Sequence, residues 1–381
     1  LNMITANEGS VTIMVPDFTK VSARAPVFYN PAMEFNRDVS VVALQVFQRL
    51  LGGEISVADT FSGSGIRAIR YLVEVEGVSE AFANDINPLA VECIKNNSLM
   101  NSVSTEVSRE DASIFLRSNH GRFDVIDIDP FGTPAPFLDS AAASARNNSL
   151  LAVTATDTSS LCGTYIKPCL RKYSSRPLKT EYCHEIGLRI LAGFTAMNLA
   201  RYRKSASVLL SHSSQHYMRL YIHVRRGARR ADESLRNIGF ILHCFKCLHH
   251  EHMKGFVPLK QECPHCGAEM EAAGPLWVGD IQDSRFIGEM IGEVENKKLN
   301  TATDVLKLLK ACLGEAGMPP GFYDIHEVCS KLGRSAPPLR DVMDGLEKAG
   351  FRVSRTHIRP TGIKTDATIR DIEEVLEGFS V

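Results

Sequence analysis

Apolar residues recur at helical spacing through VSVVALQVFQRLL (39–51) and stop at Gly52-Gly53. EISVAD then reads as a strand running into FSGSGIRAIRYLVE, a glycine-rich turn and a helix. The alternation repeats: SEAFANDIN is a second strand, PLAVECIKNNSLMN a helix opened by Pro88, and TEVSRED a short polar strand. FDVIDIDPFG supplies a fourth strand and SLLAVTATDTS a fifth. Strands separated by helices predict a mostly parallel sheet covered on both faces, the doubly wound, Rossmann-like α/β class. KSASVLLSHSSQHYMRLYIHVRRG (204–227) predicts an antiparallel hairpin that adds a reversed edge to that sheet.

The pattern changes after Arg230. Residues 240–275 carry little apolar periodicity, so their fold is expected to depend on metal. From 301, TATDVLKLLKACLGEAG, DIHEVCSKLG and PPLRDVMDGLEKAG read as three helices, each stopped by a glycine, with the strand-like FRVSRTHI behind them. That order predicts a winged-helix-like part over 301–370. A chain of 381 residues exceeds what one core usually supports. Two domains are expected: 1–230, the α/β domain with an N-terminal extension, and 231–381, a smaller α+β domain with a zinc-ribbon-like part at 240–275. No apolar run reaches membrane-spanning length, and LNMITANEGS lacks the basic and apolar regions of a leader, which predicts a cytoplasmic protein with no membrane partner. No feature suggests an obligate protein partner.

A net charge of −1 would argue against a polyanion partner, but the charge is unevenly placed. Residues 1–166 carry −8, residues 167–230 carry +12, and residues 231–381 carry −5. The central block, from Lys167 and Arg171 to Arg225, Arg226, Arg229 and Arg230, is what a phosphate backbone needs, and it points to nucleic acid. A solvated basic surface is the plain alternative. Of the ten cysteines, Cys244, Cys247, Cys263 and Cys266 form two C-x-x-C pairs fifteen residues apart, the spacing of a structural zinc site. Four protein ligands would leave no open position for catalysis.

Two constellations carry the chemistry. Asp59-Thr60-Phe61-Ser62-Gly63-Ser64-Gly65 lies where the first strand meets its helix, and Asp85 follows at the end of the second strand. Glycines there admit a ligand to the backbone, and an acidic residue at that distance can bind a ribose diol. Ile66-Arg67 stand where a dinucleotide fingerprint would continue towards its third glycine, which argues against NAD. A cofactor with ribose and adenine but no pyrophosphate fits better, namely S-adenosylmethionine, with Asp111-Ala112 near the adenine. The second constellation, Asp129-Pro130-Phe131-Gly132, ends the fourth strand, where doubly wound sheets bind ligands. A nucleobase amine is a poor nucleophile because its lone pair is delocalised. A carboxylate accepting one N–H, and the Pro130 carbonyl accepting the other, would aim that lone pair at a methyl donor, while Phe131 stacks on the base. A strand-ending turn and core aromatics are the structural alternatives.

DPFG at this position resembles the D/N-P-P-F/Y signature of amino-methyltransferases, with Phe131 in place of the second proline. With Phe28-Tyr29-Asn30-Pro31, Asn36-Arg37-Asp38, Thr156-Asp157-Thr158 and the late PTGIKTDA (360–367), the chain resembles the tRNA (guanine-26-N2)-dimethyltransferase family over nearly its whole length. The resemblance implies that Arg37, Arg67, Asp85 and Asp111 contact S-adenosylmethionine, that Asp129 is the catalytic carboxylate, and that Phe28 and Phe131 sandwich the target guanine of a tRNA. Two other functions remain open at this point. One is an amino-methyltransferase for another RNA or DNA base, the other a non-enzymatic zinc-ribbon and winged-helix nucleic-acid-binding protein.

Overall fold

The computed structural model describes residues 3–17, 25–255 and 261–379. The chain opens with a hairpin, β1 (Met3–Glu8) and β2 (Val11–Pro16), paired antiparallel through Glu8 and Val11. A 3₁₀ turn at Pro31–Met33, capped by the Asn30 side chain, leads into α1 (Glu34–Leu51), which ends where Gly52 takes a left-handed conformation. The α/β alternation follows: β3 (Ile55–Asp59), α2 (Ile66–Glu74), β4 (Val78–Asn84), α3 (Pro88–Met100), β5 (Glu106–Ser108), α4 (Ala112–Ser118), β6 (Val125–Ile128), α5 (Ala135–Ser144) and β7 (Ser149–Ala155). Then come α6 (Thr158–Leu161), α7 (Ile166–Tyr173), α8 (Cys183–Arg201), and the hairpin β8 (Lys204–Ser214) and β9 (Tyr217–Arg226).

These strands form one sheet of seven in the order β5-β4-β3-β6-β7-β9-β8. β3 to β7 run parallel, as the alternation predicts. The reversed strand is β9, which pairs with β7 and places β8 at the edge. Because the chain leaves β3 for β4 and β5, then returns to β6 on its other side, the order reverses between β3 and β6. A crevice opens at the carboxyl ends of strands at such a point.

Alternate residues of β7 show why the strand is buried along its whole length. Leu150 and Ala152 join a cluster with α1, whereas Leu151, Val153 and Ala155 join one with α4, α5 and α8. Beyond the sheet lie α9 (Ala228–Leu235), β10 (Ile238–His243), β11 (His250–Lys254) and β12 (Glu271–Trp277), the last three forming a small sheet in the order β11-β10-β12. Next, α10 (Ser284–Val294) and α11 (Ala302–Glu315) pack their apolar faces into the α1 cluster of the large sheet. β13 (Tyr323–Asp324), α12 (Ile325–Lys331), α13 (Leu339–Lys348), β14 (Val353–Arg355), β15 (Gly362–Thr365) and α14 (Ile369–Glu377) complete the chain. Their three strands pair antiparallel in the order β13-β15-β14, and the helices share a core with them. No helix among the described residues is long and apolar enough to cross a membrane.

Candidate active site and cysteine cluster

A cavity of about 590 Å³ opens at the strand-order reversal. Most of the singled-out residues line it: Phe28, Arg37, Asp59, Gly63, Arg67 and Asp85, together with Asp129, Pro130 and Phe131. Gly65, Asp111 and Ala112 stand outside that lining. Gly65 turns the chain into α2, and Asp111 caps α4 by accepting from the Ser113 and Ile114 amides at 2.9 and 3.3 Å, with Ala112 buried behind it.

The wall from β3 is fixed by backbone. Ser62 N–H donates to Asn84 O at 2.9 Å and Gly65 N–H to Ser62 O at 2.7 Å. Gly63 has a φ of +51°, and a Cβ there would stand 2.7 Å from Phe28 O, so any side chain would push the aromatic segment off the turn. Gly63 N–H donates to Asp85 Oδ2 and Asn87 N–H to Asp85 Oδ1, both at 2.9 Å. Two amides thus orient Asp85 while its remaining lone pairs stay open to the cavity. Asp59 differs: it is buried, and neither carboxylate oxygen has a hydrogen-bond partner of normal geometry among the described residues. Burial pushes its carboxyl up to about 7, against the pull of Arg67. A buried, unpartnered acid facing a cavity suits a cation.

Both arginines of the site are already engaged. Arg37 Nε donates to Glu8 Oε2 at 2.7 Å and Nη2 to Asn30 O at 2.9 Å. Arg67 Nη2 binds Asn36 Oδ1 at 2.9 Å and forms an ion pair with Asp129. Behind them Arg219 grips Asp127 with two bonds of 2.8 and 2.6 Å, and Tyr71 donates to the same carboxylate at 2.8 Å. Burial would raise the Asp127 carboxyl, but Arg219 and Arg67 hold it below the usual range. Asp129 stands at the end of this charged chain, in the cavity lining, with 17% of its side chain exposed.

The turn after Asp129 is strapped down. Gly132 N–H donates to Thr156 Oγ1 at 2.8 Å, and Thr156 N–H returns a bond to Gly132 O at 2.9 Å. Tyr173 OH bridges Thr133 and Asp157 at 2.8 Å each, and Lys172 binds Asp157 at 2.9 Å. Phe28 and Phe131, both in the cavity lining, meet edge to face with centroids 4.2 Å apart, which leaves no room for a base between them in this conformation.

Glu8, Asp127 and Arg219 were not singled out by the sequence reading. Asp127 and Arg219 left a signal: each is a charge inside an otherwise apolar strand run, which requires a buried partner. Glu8 left none, because its partner Arg37 lies far along the chain.

The four cysteines converge as their spacing predicts. Cys244 and Cys247 follow β10, Cys263 and Cys266 precede β12, and all four sulfurs lie within 4.8 Å of one another. Cys244 and Cys266, and Cys247 and Cys263, approach to 3.5 Å. Bonds of about 2.3 Å to a tetrahedral zinc set sulfurs roughly 3.8 Å apart, so the set fits that ion. Residues 256–260 of this stretch lie outside the described residues. The neighbouring histidines are not simply exposed. His243 and His249 are buried, and Tyr182 OH lies 3.0 Å from His243 Nδ1.

The basic block does not form one surface. Arg189, Lys204 and Arg219 are buried. Arg225 and Arg226 end β9, which pairs there with the start of β7, and Arg229 and Arg230 follow, so all four sit at the opposite end of the strands from the cavity. Lys167 and Arg171 on α7 are exposed and lie on the cavity side, joined to the Asp129 turn through Lys172 and Tyr173.

A family model described as N2,N2-dimethylguanosine tRNA methyltransferase matches residues 9–377. A Methanothermobacter thermautotrophicus protein named tRNA (guanine(26)-N(2))-dimethyltransferase is 92% identical over 377 residues, covering 99% of each chain. An Aquifex aeolicus protein named tRNA (guanine(26)-N(2)/guanine(27)-N(2))-dimethyltransferase is 36% identical, covering 98% of this chain and 96% of its own. The solved structure of Trm1 from Pyrococcus horikoshii in complex with S-adenosyl-L-methionine superposes with a TM-score of 0.88 at 35% identity, covering 98% of this chain and 99% of that one.

Proposed function

This chain belongs to the N2,N2-dimethylguanosine tRNA methyltransferase family, and from that premise we propose how its residues divide the work of dimethylating guanine 26 of tRNA. S-adenosylmethionine, when bound, would supply an electrophilic methyl to N2, whose displaced proton would leave to solvent by way of the Asp129 carboxylate. Asp85 receives the ribose hydroxyls on its free lone pairs, Asp59 faces the amino acid ammonium, and Arg37 and Arg67 face the carboxylate. The Gly63–Gly65 turn lets the backbone approach, and the loop at Asp111-Ala112, tied to the end of β4 by Asn84, borders the adenine.

Asp129 accepts a hydrogen bond from the N2 amine, the Pro130 carbonyl accepts the other N–H, and the strapped turn holds both acceptors still. Arg67 keeps Asp129 facing the cavity. Phe28 and Phe131 separate to take the base between them. The observation that carries this reading is the placement of Asp129 in the lining of the cavity that also holds Asp85 and the unpartnered Asp59.

The four cysteines hold a structural zinc in a ribbon-like module. With residues 301–370 as a winged-helix-like part, whose first helix α11 packs on the large sheet while α12 and α13 share a small core with β13–β15, residues 231–381 serve tRNA docking, while 1–230 serve methyl transfer. Helix α7 offers a further contact on the cavity side, where Tyr165, Ile166 and Leu170 are exposed alongside Lys167 and Arg171. Mass spectrometry of nucleosides from a tRNA transcript incubated with enzyme and donor tests the function. N2,N2-dimethylguanosine is expected with guanine at position 26 and not with adenine there; product from the adenine transcript would reassign the target.

A further inference from the structure

Among the described residues, a second group of soft donors converges away from both sites above: Cys162, Cys183 and His184, whose ligand atoms all lie within 4.8 Å of one another. None of these belongs to the cavity lining or to the four-cysteine cluster. Cys162 follows α6, and its amide is held by Thr158 O at 2.8 Å. Cys183 and His184 begin the 19-residue α8, with the Cys183 amide bound to Thr180 O at 3.2 Å. Ser213 Oγ, at the end of β8, lies 3.1 Å from His184 Nδ1 and fixes the orientation of the imidazole. Both cysteines are unbridged; Cys162 is buried, while Cys183 and His184 are half-buried, which leaves a path for an ion.

We propose that Cys162, Cys183 and His184 form a second zinc site, with three protein ligands and a fourth position open to solvent. Two thiolates and an imidazole are the donor set of a borderline-soft divalent ion, whereas calcium and magnesium require oxygens. Donors around a tetrahedral zinc stand roughly 3.5–4 Å apart, so small rotations of the cysteine side chains close the set from its present span. Binding replaces two S–H protons, released to solvent, by two Zn–S bonds and adds one Zn–N bond; nothing is oxidised. Two thiolates neutralise the ion, and the nearby Arg359 is itself ion-paired with Asp324.

The position gives the site a role. Cys162 closes the segment that carries Thr156 and Asp157, and these two residues strap the Asp129 turn. A metal there ties that strap to the start of α8, so it braces the wall on which the base is positioned without touching substrate.

Elemental analysis of the full chain, purified anaerobically with a phosphine reductant, tests the assignment. About two zinc per chain are expected in the wild type and about one in either Cys183→Ser or Cys244→Ser, since each variant empties a different site. His184→Ala, a change at a half-buried position, serves as a second probe should Cys183→Ser fail to fold, with circular-dichroism melts reporting on folding. Cobalt loading adds an optical readout: the thiolate-to-metal absorption that survives in Cys244→Ser should vanish when His184→Ala or Cys183→Ser is added. Metal content unchanged by Cys183→Ser and His184→Ala, or a Cys244→Ser chain that retains no metal, overturns the proposal. The same Cys244→Ser result also reports separately on the four-cysteine cluster.

Discussion

At the scale of single residues, the site is a set of carboxylates held in different charge states by their surroundings. Asp127 is kept ionised by Arg219 and Arg67, whereas Asp59 is buried with no hydrogen-bond partner of normal geometry among the described residues, and burial pushes its carboxyl up to about 7. Between roughly pH 4, where an unfolded aspartate titrates, and pH 7, the folded chain therefore holds a proton that the unfolded chain has lost. Stability conferred by protonated Asp59 declines as pH rises through that window. Opposing a ligand ammonium to Asp59 favours its charged form. Binding of S-adenosylmethionine near pH 7 should then release a fraction of a proton, seen as binding heats that differ between Tris and phosphate buffers. Asp59→Asn should abolish the difference; heats independent of buffer in the wild type would remove Asp59 from the ammonium subsite. Asp59, Asp85 and Asp129 were legible because strand ends and a glycine turn mark them in the sequence. Asp127 and Arg219 showed only as charges inside apolar strand runs, since sheet order, which local pattern does not encode, decides that they meet, and Glu8 showed nothing, because its partners Arg37 and Arg70 lie on helices remote in sequence.

At the scale of elements, period-2 and period-3.6 patterns placed the five parallel strands and the helices α1, α2 and α3, but assigned no helix at α4, α5 or the long α8. They did not place β9 between β7 and β8, since the partner of a hairpin strand is a long-range choice. The N-terminal hairpin β1–β2 escaped although Gly9-Ser10 separates two short strand-like runs, and its importance lies in Glu8, which holds Arg37. The cysteine module illustrates the opposite case, in which spacing alone foretold convergence. It buries few apolar side chains around its sulfurs, so its order is expected to depend on the ion. Chelation should raise amide hydrogen exchange in residues 244–270 well before it does so in β3, β6 and β7. Simultaneous loosening of the large sheet would show that the module is not an independent unit of stability.

At the scale of the whole molecule, two long-range arrangements decide how a large substrate can reach a small cavity. The late PTGIKTDA run finds its explanation here: Lys364 is buried, donating to Glu185 at 2.8 Å and to Gly321 O at 3.0 Å, so it clamps the C-terminal sheet to α8. The basic block, read from sequence as one footprint, is split by the fold, with Arg225 to Arg230 at the amino end of the parallel strands and α7 on the cavity side. Affinity for tRNA should fall with salt through counterion release, and Lys167→Ala with Arg171→Ala should flatten the slope of log Kd against log salt by about 1–2, more than Arg225→Ala with Arg226→Ala does. The reverse order would move the docking face to the other end of the strands.

The central claim is that Asp129, reached through the chain Arg219, Asp127 and Arg67, directs the guanine amine at the methyl donor, and single-turnover methylation at saturating tRNA and donor tests it most directly. Asp129→Ala should lower the rate by at least roughly a hundredfold while dissociation constants for donor and tRNA change little, because the lost interaction is made most strongly in the transition state. Asp129→Asn, which still accepts a hydrogen bond but carries no charge, should fall between Ala and wild type if positioning matters and coincide with Ala if charge does. A Asp129→Ala chain that methylates guanine 26 at the wild-type rate would contradict the account.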